Sequence, residues 1–175
     1  MSVSSIIEAG LFARGLAASG AALCIVVRTS TAYRRPLARE IAVALKRRCD
    51  IGDETALIME TVLHEALMNA ILHGNLGLNS EARQGFGMLD RFQSLIDHRL
   101  KLPQFSNKPL VIGATWTSRF IDLSVRDDGT GYSAKPRALP DESRASGRGL
   151  AIIQALAAAV SFKEGGRLIE MRIAR

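Results

Sequence analysis

Glu60-Thr-Val-Leu-His-Glu-Ala-Leu-Met-Asn-Ala-Ile-Leu-His-Gly-Asn75 is the stretch that decides how this chain reads. Written on a helix, Glu65, Asn69 and His73 fall at i, i+4 and i+8 and share one face over two turns. Ala56, Met59, Leu63, Ala66, Leu67 and Ala70 lie about 100–180° away, at about 100° per residue. One side is therefore apolar and faces a core, while the other turns a carboxylate, a carboxamide and an imidazole toward a common site. The plain alternative is a core helix whose polar side happens to be Glu, Asn and His.

Around that helix, the chain of 175 residues is most simply one domain with a continuous core. Apolar content of 47% beside 23% charged residues marks a soluble globular chain, and only 5% aromatic content makes the core aliphatic. The formal charge of +6 raises the question of nucleic acid. Its carriers are dispersed, however, with small clusters at Arg34-Arg35 and Lys46-Arg47-Arg48 and few aromatics between them to stack bases. They read as a solvated helix face, or a surface for an acidic protein partner, before direct nucleic-acid binding. Cys24 and Cys49 show no metal or disulfide spacing. Glu8 and Arg14 interrupt the apolar opening segment, so it holds neither the ~18-residue run of a membrane span nor a secretory signal. A cytoplasmic protein with no membrane contact is the expectation.

Working outward, Leu23 to Arg28 predicts a first strand, and Thr29, Ser30 and Thr31 offer N-caps for a helix over 32–48. The organising helix spans 54–73, and Gly74 suits a left-handed stop. A helical stretch over 80–101 precedes Pro103. Leu110 to Trp116 and Phe120 to Arg126 form a hairpin about Thr117-Ser-Arg119. Ile121, Leu123 and Val125 share a strand face, and Asp127 falls on that same face, which is no place for a solubilising charge. Asp128-Gly-Thr-Gly131 is a turn, 132–148 a polar loop, and 149–160 an Ala-rich helix. Ser161 to Lys163 and Leu168 to Ile173 close the chain as a hairpin about Gly165-Gly166.

Three stretches follow in order: Glu65-x3-Asn69-x3-His73, Asp127-x-Gly129-x-Gly131 and Gly147-x-Gly149-Leu150. Each has a use around a purine nucleotide. A partly buried Asp127 can accept a hydrogen bond from an exocyclic amine, which favours adenine over guanine. Gly129 and Gly131 allow the backbone to approach a base. Gly147 and Gly149 open a helix whose free N–H groups can receive phosphate. Asn69 offers a neutral oxygen to magnesium, and Glu65 can accept a proton from an attacking hydroxyl or water. Singly, Asp-Gly-Thr-Gly is also a plain turn and Gly-Arg-Gly is common. No P-loop or dinucleotide fingerprint is present.

Taken together, these residues resemble the GHKL ATPases with their Bergerat ATP-binding fold, above all the bacterial anti-sigma-factor serine/threonine kinases and related histidine-kinase-like ATPase domains. The N box is similar to His64–Asn75, the first glycine box to Asp127–Tyr132 and the second to Gly147–Ile153. The resemblance implies a two-layer α/β sandwich with a mixed sheet covered by helices on one face. It implies an ATPase domain over 22–175, with 1–21 an N-terminal arm or short helix, 76–107 a helical insert and 132–148 the ATP lid. By the same resemblance Glu65 is the general base, Asn69 the magnesium ligand and Asp127 the adenine reader. Gly129, Gly131, Gly147, Arg148, Gly149 and Leu150 line the nucleotide, and Arg144 and Arg148 reach its terminal phosphates; His73 either joins them on the phosphate side or simply ends the helix. ATP and Mg2+ are the implied cofactors, a sigma factor or its antagonist the implied protein partner, and a homodimer fits the family.

Three functions remain open on these residues. The first is a kinase that phosphorylates an antagonist protein on serine or threonine. The second is a non-catalytic, ATP-gated binding module, and the third is the catalytic domain of a histidine kinase. Glu65 favours the first, since a pure binding module has no need of a base beside the metal ligand. The third needs an acceptor His ahead of the N box, and His98 lies after it. His64 points about 100° away from Glu65, toward packing or a partner.

Overall fold

The alternation in Phe120-Ile-Asp-Leu-Ser-Val-Arg126 gives a strand with one apolar face, and this strand lies at the centre of the sheet. The structure, a computed structural model, describes residues 22–78, 88–131 and 148–175. Its strands are β1 (Ala22–Arg28), β2 (Pro109–Trp116), β3 (Phe120–Arg126), β4 (Ala159–Lys163) and β5 (Leu168–Ala174). They lie in the order β1-β2-β3-β5-β4. Ile25 pairs with Ile112, Ile112 with Val125 and Val125 with Ile169, so one buried row crosses four strands. Leu23, Ala114, Leu123 and Met171 make the parallel row beside it.

Every pairing among the described strands is antiparallel, where a mixed sheet was expected. The crossover explains it. β3 and β4 run in the same direction but lie two places apart, and the β4–β5 hairpin inserts β5 between them. No two like-directed strands then touch. The opposite face is half-exposed and carries ion pairs such as Arg172–Asp122 at 2.6 Å and Lys163–Glu170 at 2.7 Å, each worth little at a surface. The described helices cover one face, as the two-layer sandwich requires.

The helices are α1 (Thr29–Arg34), α2 (Leu37–Cys49), α3 (Asp53–Asn69), α4 (Met88–Lys101), α5 (Pro103–Ser106) and α6 (Arg148–Leu156). α3 lies on β3 and β5, with α2 and α6 packed against it. Met59, Val62 and Leu63 on α3 are wholly buried, and each contributes about 1.5–3 kcal/mol relative to an exposed position. By length and composition Asp53–Asn75 is apolar enough to cross a membrane. Here Met59, Val62, Leu63, Ala66 and Leu67 are buried in the core, as in the central helix of a folded domain.

Three local expectations change. The single helix over 32–48 is split at Arg35-Pro36, because proline lacks an N–H and disfavours helical geometry in the residue before it. The hydroxyls at 29–31 cap nothing, and Thr29 is instead fully buried and donates to the Lys108 carbonyl at 2.8 Å. Gly74 is no left-handed stop. After Asn69 the helix widens to π winding over Ala70–Asn75, with Leu76 N–H bonding the Ile71 carbonyl five residues back at 2.8 Å. The left-handed residue is Gly77, with φ 58°. The arm at 1–21, the first part of the 80–101 helix and nearly all of the 132–148 lid lie outside the described residues.

Candidate functional site

α3 and its wide last turns carry the site as a rod carries fittings. At its middle, Glu65 and Asn69 are half-buried one turn apart. The start of α6 lies directly on them: a Cβ built on Gly149 would stand 2.5 Å from Glu65 Oε2 and 3.5 Å from Asn69 Nδ2. The missing side chain at Gly149 leaves room for the Glu65 carboxylate where it stands. The first N–H groups of α6, which have no acceptor within the helix itself, thus lie beside a carboxylate and a carboxamide.

At the far end of the rod sits Asp127. The period-two rule places it on the inner face after Val125, and it is 8% exposed. Its carboxyl rests on Gly74, where a Cβ would fall 2.4 Å from Cγ. Gly129 in turn lies on the backbone of Gly74, its own absent Cβ 2.4 Å from that carbonyl oxygen. Oδ1 of Asp127 accepts the Gly129 N–H at 2.8 Å, while Oδ2 has no hydrogen-bond partner among the described residues. Burial pushes this carboxyl above its ordinary range, against the pull of the Gly129 N–H, Arg167 and Lys108. From Glu65 to Gly74 the rod rises roughly 12–14 Å, so the acid–amide pair and the buried aspartate stand at two ends of an elongated candidate site.

Residues 28–173 match the family described as the histidine kinase-like ATPase domain. The chain belongs to that family. No curated protein matches it. As a histidine kinase-like ATPase domain of the GHKL type, the protein has an ATP-binding regulatory function.

The geometry fits that ligand at both ends. A nearly enclosed carboxylate with one oxygen free of partners among the described residues suits an exocyclic amine. Gly74 makes room for that carboxyl, and Gly129 lets the turn lie on the Gly74 backbone. At the other end a carboxamide and a helix start suit polyphosphate with its cation. Arg148 and Leu150 flank Gly149 in the first turn of α6, and Arg148 is exposed. Gly147 and Arg144 lie outside the described residues.

Two expected members are not brought to these ends. His73 is exposed, and its Nδ1 donates to the Leu78 carbonyl at 2.5 Å, since a carbonyl can only accept. The π winding is the cause: five residues separate stacked positions there, so Gly74 comes into line with Asn69 and His73 is turned outward. Gly131, with φ 84°, faces the β4–β5 turn, where a Cβ would lie 2.5 Å from the Gly165 carbonyl oxygen. Sequence reasoning in turn missed Gly74 and Asn75 as parts of the site. The available signal was that both follow directly on the Glu-Asn face, but they read as a helix end.

Proposed function

We propose that this histidine kinase-like ATPase domain is an anti-sigma-factor-type protein kinase, transferring phosphate from Mg-ATP to a serine or threonine of an antagonist protein. The observation that carries the reading is Glu65. Its carboxylate lies against the first turn of α6 and beside Asn69, within the polyphosphate end of the site. Holding ATP asks for no acid among phosphates, since like charge opposes binding. Moving a proton off an attacking hydroxyl does.

In this reading Asp127 accepts the adenine amine and rejects a keto oxygen. Asn69 offers its carboxamide oxygen to Mg2+, which would neutralise charge on the transferring phosphoryl group. The N–H groups that open α6 hold phosphate oxygens, and Arg148 adds a cation at the same point. Glu65 takes the proton of the incoming serine or threonine hydroxyl. A sigma factor or its antagonist would be the protein partner, recognised outside these residues.

The test compares wild type with Glu65→Gln in two assays. Mg-ATP affinity by titration calorimetry should stay within about threefold, while phosphate transfer to a candidate antagonist should fall by about 100-fold or more. Undiminished transfer in the variant would remove the base from the mechanism. Binding without any transfer in wild type would instead favour the ATP-gated module.

A further inference from the structure

Asn75 is completely buried, yet every polar atom of its side chain is used. Its Nδ2 donates to Thr29 Oγ1 at 2.8 Å and to the Pro109 carbonyl at 3.1 Å. Its Oδ1 accepts the Asp128 N–H at 2.7 Å. Two oxygens on one side and an N–H on the other leave only one amide orientation. Thr29, equally buried, passes its own hydroxyl proton to the Lys108 carbonyl at 2.8 Å. The side chain therefore ties the end of the π turn to the β1–α1 junction, to the start of β2 and to the first glycine box.

The last of these ties bears on function. Three consecutive N–H groups run past the aspartate, and each is held by a different group: Asp127 N–H by the Arg167 carbonyl at 2.9 Å, Asp128 N–H by Asn75, and Gly129 N–H by Asp127 Oδ1. The first bond fixes the strand end and the third is internal to the turn. Among the described residues, only the Asn75 bond fastens that turn to the helix on which the Asp127 carboxyl rests through Gly74.

We propose that Asn75 is the positioning residue for adenine selection: through Asp128 N–H it holds the Asp127 carboxylate at the depth and angle where its free oxygen meets an exocyclic amine. The inference rests on the reading of Asp127 as the amine acceptor. Asn75 touches no ligand. Without it the turn can lift off Gly74, and the carboxylate no longer distinguishes bases.

The experiment measures dissociation constants for Mg-ATP and for the Mg complex of purine riboside triphosphate, which lacks the exocyclic amine, on wild type, Asn75→Leu and Thr29→Val. Circular dichroism melts check folding. Wild type should prefer ATP by about tenfold or more, as expected of a hydrogen bond to a charged group. Asn75→Leu should bring the ratio to within about threefold of one while changing affinity for the amine-free nucleotide by less than about threefold. Thr29→Val removes one acceptor of Asn75 and should lose part of the preference; it carries the test if Asn75→Leu does not fold. A merely structural asparagine would weaken both nucleotides together and leave the ratio intact, which overturns the proposal. Wild type without a preference for ATP would fail the Asp127 reading itself, and this inference with it.

Discussion

Asp127→Asn separates the stability of the domain from its use of ATP. In the free protein the variant keeps an oxygen for the Gly129 N–H, which that group now meets at 2.8 Å, and it removes a carboxyl whose ionisation burial opposes. The unliganded domain should therefore melt no lower than wild type at pH 7. Toward ATP the outcome reverses. The amide nitrogen would face the adenine amine, donor against donor, and a charge-assisted hydrogen bond worth about 1.5–3 kcal/mol is lost. Affinity should fall about 10- to 150-fold. At a concentration 100 times the wild-type dissociation constant, Mg-ATP adds about 2.7 kcal/mol to wild type; a 30-fold weaker variant retains about 0.9 kcal/mol. For a domain of this size that is a melting shift of about 5–11 °C reduced to about 2–4 °C. Differential scanning fluorimetry with ATP, GTP and no nucleotide reads all of it. A full ATP shift in the variant, or equal shifts with ATP and GTP in wild type, refutes the role given to this carboxylate.

Glycine replacements should rank by what the new methyl meets. Gly129→Ala strikes the Gly74 carbonyl at 2.4 Å, backbone on backbone, and should destabilise by about 1–3 kcal/mol in chemical denaturation. Gly149→Ala meets only the tip of Glu65 at 2.5 Å; that tip can swing, so stability should change by less than about 1 kcal/mol while phosphate transfer drops. The raised Asp127 titration also sets a pH dependence. Between about 3.9 and its folded value the native state holds more protons than the unfolded chain, so this group's contribution to stability declines as pH rises through that window. Urea melts across that range should show this limb in wild type and lose it in Asp127→Asn. ATP affinity should run the other way, weakening as pH falls through the same window. Leu63→Ala, at a wholly buried α3 position, should cost about 2–5 kcal/mol by denaturant titration without altering which nucleotide is preferred.

Much of this was legible in local patterns. The parity of Ile121, Leu123 and Val125 put Asp127 on the covered face without any knowledge of the sheet. Helical spacing paired Glu65 with Asn69, and Met59, Leu63, Ala66 and Leu67 lie on the buried side as the same spacing requires. What escaped was long-range or lacked a local signature. Thr29 and Asp128 meet Asn75 across 46 and 53 positions, a pairing no window of sequence displays. The π turn is built from Ala-Ile-Leu-His-Gly-Asn, residues equally at home in an ordinary helix, so His73 was assigned to a face it does not share. The antiparallel sheet depends on where a crossover lands, which strand sequences do not record.

The change of pitch after Asn69 makes α3 resemble a rule engraved in two scales. Glu65 and Asn69 are graduated on one, Gly74 on the other, and the distance between the two ends of the ligand is read across the join. Removing a single residue between Ala70 and Leu72 would return the whole length to a uniform scale, with Gly74 four positions on from Asn69 instead of five. Gly74 would then still fall in line with Asn69. Ordinary winding of the unshortened sequence is what would swing Gly74 by about 100° from beneath the carboxyl and leave each half of the site intact but out of phase with the other.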